Sequence, residues 1–272
     1  MAIDPAIDPA HIGTLTRLLS PERLGKLTQL TGSAEQAIEL HQETLRLGAA
    51  LMNVTAVVEI ALRNAVCENL SHHFAVANWL IQPPVPFQWL SEEQGKITKA
   101  LDSARRAKYS KMTQAEKAAL DALAYPNGRP VGTAHLARAR ARRRHIPVTD
   151  GQVIAEVTLY FWKRLYGPEY DQTLWRTTLK RTFPNKSLTR ARVAEQLEHI
   201  YQSRNRLAHH EPVVHERFIE TMAGIEFMIQ NLGLRTPDPN SALAILLAGE
   251  IADVKAKAEA LHARLAAFHV VP

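Results

Sequence analysis

Apolar residues recur along this chain at helical spacing and almost nowhere at strand spacing. From Ala34 to Phe74, Ala50, Val54, Val57, Val58, Ala61, Leu62, Ala65 and Val66 mark one face of a helix. Ser33 stands before it as an N-cap, with Gln36 three residues on. The segment reads as one long helix or as two that break near Gly48. The three prolines of Ile81–Phe87 stop it. A polar helix is expected over Ser91–Ser110, and Thr113 caps another over QAEKAALDALA. GQVIAEVTLYFWKRLYG carries Ile154, Val157, Phe161 and Leu165 on one face and reads as a buried helix. Thr189 caps the next, with Val193, Leu197, Ile200 and Leu207 inward and Pro212 ending it. VVHERFIETMAGIEFMIQNLG follows and closes at Gly233. A last amphipathic helix holds Ala244, Leu247, Ile251, Val254, Ala258, Leu261 and Leu265.

No β-branched alternation survives beyond four residues, so the fold class is all-α. No period of 20–50 residues marks a solenoid. Three segments are expected. Residues 1–13 form a tail outside the fold, whose Ala-Ile-Asp-Pro is written twice. Residues 14–235 form the main helical domain, with residues 83–150 as a basic insertion. Residues 236–272 form a C-terminal amphipathic helix.

Composition narrows the class. The chain has 272 residues, 46% hydrophobic and 22% charged, which excludes general disorder and fibrous repeats. A chain this long buries enough surface to need no disulfide or metal staple. The single cysteine, Cys67, forms no internal disulfide, in keeping with a reducing, cytoplasmic setting or with indifference to the redox setting. The longest apolar stretch, Leu47–Leu62, is broken by Asn53, Thr55 and Glu59. It falls short of the ~18 residues of a spanning helix, so no membrane association is expected. The N-terminus lacks the basic start and apolar core of an export signal.

Thirty-three basic against 27 acidic residues leave a net charge of +6, and that charge is clustered. No acid stands between Asp121 and Asp150, where Arg129, Arg138, Arg140, Arg142, Arg143 and Arg144 lie. None stands between Asp171 and Glu195, where Arg176, Lys180, Arg181, Lys186, Arg190 and Arg192 lie. Tracts of this kind can bind phosphates and release counterions. Arg138, Arg142, Arg143, Lys180 and Arg181 are the candidate RNA contacts. A run of arginine is also an ordinary solvated helix face.

Arg204–Pro212 reads RNRLAHHEP and packs a guanidinium, an amide and two imidazoles together. Arg204 and His209 stand about 140° apart on an ideal helix, so they converge only if the helix unwinds near His209. Pro212 disfavours a helical Glu211. A cation, a titratable imidazole and an amide suit metal-free transesterification of RNA. The imidazole serves as general base or acid at the 2′-OH or leaving oxygen. The guanidinium neutralises charge developing on the phosphoryl group. The structural alternative is Arg204 paired with a core carboxylate and His209 capping carbonyls. A metal site is not expected, because His209, His210 and His215 lack the i, i+4 spacing that helical metal sites prefer. Trp79, Trp89, Trp162 and Trp175 are read as core.

RNRLAHHEP resembles the Arg-Asn-x-x-x-His motif of the HEPN superfamily, in the form found in Abi-like (abortive infection) proteins. VVEIALRNAV, with Glu59, Arg63 and Asn64, is similar to that family's early helix. GQVIAEVTLYFWKRLYG is similar to its Gly-x-x-x-x-Glu-x-x-x-x-x-Trp helix. The resemblance runs from about Leu51 to Asn231 in the family's order. It implies a HEPN-like helical bundle with additional helices and a homodimer with a composite cleft. It implies a metal-independent endoribonuclease, with no cofactor, acting as a toxin or in phage defence; an antitoxin is a candidate partner that the sequence does not show. Carried over by position, Arg204 and His209 are the catalytic pair and Asn205 orients them. His210 is the neighbouring imidazole. Glu59 and Arg63 are supporting residues, with Glu59 either in an ion pair on its own helix or clamping Arg204. The family also holds members that bind RNA or partners without cutting, so a non-catalytic RNA-binding or regulatory module is the alternative.

Overall fold

The computed structural model describes residues 7–269, and among them every regular element is helical. In chain order the helices are α1 (Ile12–Leu19), α2 (Pro21–Thr31), α3 (Ala34–Phe74), α4 (Ser91–Ser110), α5 (Gln114–Ala124) and α6 (His135–Arg144). There follow α7 (Asp150–Glu156), α8 (Leu159–Arg164), α9 (Arg190–Ala208), α10 (His215–Asn231), α11 (Ala242–Leu246) and α12 (Ala248–His269). Residues 168–182 are short, irregular helical turns. The duplicated N-terminal segment lies partly outside the described residues; Pro9–His11 forms a helical turn leading into α1.

The chain divides into two compact units, residues 1–62 with 183–272, and residues 63–182. The basic stretch 83–150 lies within the second unit, and α11 and α12 belong to the first.

In the first unit α9 and α10 pack antiparallel. Ser203 and Thr221 share a buried hydrogen bond of 2.5 Å, and Gly224 lies against Gln196 and Ile200 one turn along. Thr189 caps α9 by accepting the Arg192 N–H at 3.2 Å. Val193, Leu197, Ile200 and Leu207 are buried, as their period predicts. α3 is continuous through Gly48, where no break occurs. A Cβ there would stand 3.2 Å from Leu207 Cδ2, so the missing side chain lets α9 approach. By length and composition alone, α3 can also cross a membrane, with a mean hydropathy of 1.6 over its most apolar 18 residues. Within the first unit its Leu40, Leu47, Leu51, Val54, Val58 and Leu62 are buried in protein.

The C-terminal segment forms two helices. Ser241 caps α11 through the Ala244 N–H at 3.1 Å, and the chain turns at the buried Leu247. α12 then buries Val254, Ala258, Leu261 and Leu265. Arg264 ties it to Glu39 and Glu43 of α3. His262 accepts a hydrogen bond from the His215 N–H at 3.4 Å. Its ring stacks on His215 at 5.6 Å.

In the second unit α4 packs on α6 and α7, and α5 pairs with α6. Thr113 and Glu116 form a capping box at the start of α5. The expected single helix over GQVIAEVTLYFWKRLYG is instead two, because Val157 is extended, with ψ of 131°, and Thr158 starts α8. Val157 and Thr158 are β-branched, which weakens a helix, but Val153 and Ile154 are too and stay helical, so local propensity alone does not place the break. Phe161, Trp162, Leu165 and Tyr166 are buried beyond the break. Trp79, Trp89, Trp162 and Trp175 are all buried, which matches their core reading. Glu93, only 1% exposed, is held by Arg164 Nε at 2.6 Å and the Tyr170 hydroxyl at 2.8 Å. Burial pushes the Cys67 thiol up to about 12, so it stays protonated and unreactive at neutral pH.

Two expectations follow. Ala in mid-helix ordinarily gains about 1 kcal/mol over Gly, but a Cβ at Gly224 stands 3.0 Å from the Gln196 carbonyl and 3.1 Å from Ile200. Gly224→Ala therefore lowers stability by about 1 kcal/mol net, a fall of roughly 2–4 °C in Tm by calorimetry; a rise in Tm would show that α9 and α10 are not in close contact. Burial first, and His215 second, hold the His262 imidazole below its ordinary range. The unfolded chain then binds the proton more readily, so stability is present at neutral pH and declines as pH falls through about 6.5. His262→Gln shows a smaller decline between pH 7.5 and 5.5; an unchanged slope would remove His262 as a source.

Candidate active site at the end of helix α9

The site is built by the way α9 stops. Ala208 is its last residue, and His209 forms the cap with φ of −97°. His210 then turns left-handed, with φ of 56°. The His210 N–H donates to the Leu207 carbonyl at 3.0 Å and the Glu211 N–H to the Arg206 carbonyl at 2.9 Å. This pair of bonds is a Schellman turn, which usually carries glycine where His210 stands. Pro212 supplies the reason that the helix goes no further, because it excludes the helical region for Glu211.

Three contacts hold the turn. Arg23 of α2 donates to the His210 carbonyl at 2.9 Å. Arg206 pairs with Glu211 at 3.1 Å and donates to the Pro212 carbonyl at 3.4 Å. The strained residue therefore presents an imidazole to solvent while its own backbone is fixed from outside. The His209 side chain is exposed too, and makes no hydrogen bond among the described residues.

Arg204 lies one turn before the end, half-buried. Its Nε stands 4.0 Å from Glu59 Oε2 of α3, with the two side chains 33% and 18% exposed. Arg204 is thus brought to Glu59, and it shares no hydrogen bond with His209. Asn205 is half-buried, and its carbonyl accepts the His209 N–H at 3.2 Å. Arg63 belongs to the second unit, where its Nε is buried without a hydrogen-bond partner. Beside the turn, Leu45, Gly48, Met52, Leu207, Ala208 and His210 line a mainly apolar cavity of about 390 Å³.

The basic tract looks different in the fold. Arg142, 8% exposed, grips Asp121 with two bonds of 2.6 Å. Arg138 joins the same carboxylate, and together they hold it far below the usual carboxylate range. Arg143 pairs with Asp102 at 3.4 Å. Arg138, Arg142 and Arg143, expected as RNA contacts, thus share the two carboxylates Asp121 and Asp102 inside their own unit, where two of them tie α6 to α5. Asp121, at the very edge of the acid-free window, was the signal for this. Lys180 sits 5.1 Å over the Trp175 ring, and burial pushes its pKa down. Arg181 is exposed. Among the described residues, no three His, Cys, Asp or Glu side chains gather to hold a metal ion.

Sequence reasoning missed His41. It is a buried imidazole on α3, 6% exposed, and its only signal was its place one turn after the buried Ala37 and Ile38. Burial first, then the Arg23 charge, push its pKa down.

The strain at His210 is directly measurable. A non-glycine residue in this region costs roughly 1–2 kcal/mol, so His210→Gly raises Tm by roughly 2–4 °C in a thermal melt, while His210→Ala does not. Equal melts for the two variants would show that the turn is not left-handed. No family model matches the chain, and no curated protein or solved structure is detectably similar to it.

Proposed function

We propose that this protein is a metal-independent endoribonuclease of the HEPN type. In this reading it acts in the cytoplasm as an abortive-infection toxin, restrained by an antitoxin. The observation that carries the reading is the setting of Arg204. It stands on the last turns of α9 with Glu59 at its Nε, which leaves the two terminal nitrogens of its fork for a phosphate. Two exposed imidazoles, His209 and His210, follow at the helix end.

The chemistry balances without a metal. His209 takes the proton of a ribose 2′-OH, whose oxygen attacks the adjacent phosphorus. The bond from phosphorus to the 5′-oxygen breaks, and that oxygen takes a proton from the His209 imidazolium, which returns to the neutral form. The products are a 2′,3′-cyclic phosphate and a 5′-hydroxyl. Arg204 neutralises charge growing on the phosphoryl oxygens. Asn205 supplies the amide that keeps the pair oriented.

A homodimer accounts for the separation of Arg204 from His209. Leu45 and Ile60 are exposed apolar residues on the same helix as Glu59. A second copy seated there brings two motifs to one cleft. The bare His209 also favours a second reading, an RNA-binding module that does not cut, since nothing among the described residues fixes its tautomer.

Incubating RNA with wild type, Arg204→Ala and His209→Ala in EDTA separates these. The enzyme reading expects cyclic-phosphate ends from wild type and a loss of roughly 10²- to 10⁴-fold in each variant. Cleavage that stops in EDTA overturns the metal-free mechanism. Binding without cleavage, weakened in Arg204→Ala, gives the module.

A further inference from the structure

The connection from α5 to α6, in the second unit, carries apolar side chains into solvent. Val131 is fully exposed, Leu136 is 72% exposed and Leu123 58%. Single exposed apolar residues are ordinary, but these three share one place. Leu123 is on the last turn of α5, Val131 lies between the helices and Leu136 is on the first turn of α6. The bonds from Arg138 to Asp121 draw the two helix ends together. All three side chains therefore stand at one end of the α5–α6 pair.

The connection is built to hold Val131 out. The Thr133 N–H and hydroxyl both donate to the Pro130 carbonyl, at 3.3 and 2.6 Å. Gly132 occupies the third place of this turn with φ of 78°, where a positive φ calls for glycine. Val131 stands beside it at the apex.

Positive charge lies behind the apolar end. Residues 111–149 hold eight basic and two acidic side chains, so the chain's whole net charge of +6 resides in this segment. Both of its acids are engaged, Asp121 with Arg138 and Arg142, and Glu116 in the cap of α5. Asp102 of α4 pairs with Arg106 and Arg143. Arg129, Arg140 and Arg144 are exposed and pair with no carboxylate among the described residues. On α6, Arg140 and Arg144 follow Leu136 by one turn and two, which sets them about 6 and 12 Å behind it along the axis.

We propose that this end of the α5–α6 pair binds the surface of an anionic lipid bilayer. Val131, Leu136 and Leu123 enter the boundary between headgroups and acyl chains, and Arg129, Arg140 and Arg144 meet the lipid phosphates. Apolar side chains in front and cations one to two turns behind match the ~5–10 Å to which a peripheral element sinks into that boundary. RNA would use the cations and leave the apolar end in water, whereas a bilayer uses both. Contact of this kind needs no spanning helix, and the expectation of no membrane association rests on spanning length alone. None of these residues belongs to the Arg204–Pro212 site, so the proposal does not depend on RNA cleavage.

The test is co-sedimentation of the full chain with vesicles of phosphatidylcholine, alone or with about one third phosphatidylglycerol. The chain binds the anionic vesicles at least about tenfold tighter than the neutral ones, and added salt weakens the binding. Val131→Ser combined with Leu136→Ser, both at exposed positions, weakens it about tenfold with no change of charge. Arg140→Gln combined with Arg144→Gln weakens it by about as much through charge. Val85→Ser, at an apolar residue 88% exposed before α4, leaves it unchanged. No binding to anionic vesicles, equal binding to both lipids, or indifference to either double variant overturns the proposal. Failure to bind vesicles while a short RNA binds, and is lost in Arg140→Gln with Arg144→Gln, assigns the segment to nucleic acid and overturns it too. Each of these results leaves the ribonuclease reading standing, and failure of that reading leaves this one standing.

Discussion

The left-handed turn at His210 is the constraint on which the candidate site depends. Helix α9 is phased by close approach on two sides, to α3 at Gly48 and to α10 at Gly224. That phase turns Leu207 and Ile200 inward and leaves Arg204 at Glu59. The helix must then end within one turn, because Pro212 forbids its continuation. Glycine would end it at no conformational cost, yet the chain carries histidine with φ of 56°. The cost is met by bonds that a free helix end lacks, from Arg23 and from the Arg206–Glu211 pair. Backbone strain kept at an exposed imidazole is the pattern expected where a side chain, rather than stability, decides the residue.

Much of the fold was legible because it rests on local rules. The periods of α9 and α12, the cap at Thr189 and the capping box at Thr113 depend on residues three or four apart. The failures have the opposite character. Gly48 reads as a break, since glycine weakens a helix by about 1 kcal/mol. Its true role is set by Leu207, far away in sequence. The interruption at Val157 and the corner at Leu247 are decided by what is buried on either side. The site divides in the same way. RNRLAHHEP was visible as a string, but the Glu59 contact, the sign of φ at His210 and the burial of His41 are products of packing.

Charge shows most clearly why a window along the chain misleads. The stretch from Asp121 to Asp150 holds six arginines and no acid inside it. Folding returns an acid to it, since Asp121 faces two of those arginines and Asp102 a third. A guanidinium that spends both faces of its fork on a carboxylate has little left for a phosphate.

For the proposed enzyme, a second copy would ease one geometric demand. General base and phosphate clamp must reach one phosphodiester group, each within hydrogen-bond distance. Residues five apart start about 140° out of register on an ideal helix, and here the turn that follows is tied by Arg23 and Arg206. Unwinding another turn would cost the buried Leu207 its place against Gly48. In the proposed homodimer an isologous contact would set the Arg204 of one copy opposite the His209 of the other, twice over. The exposed Leu45 and Ile60 of α3 give such a contact an apolar surface to bury.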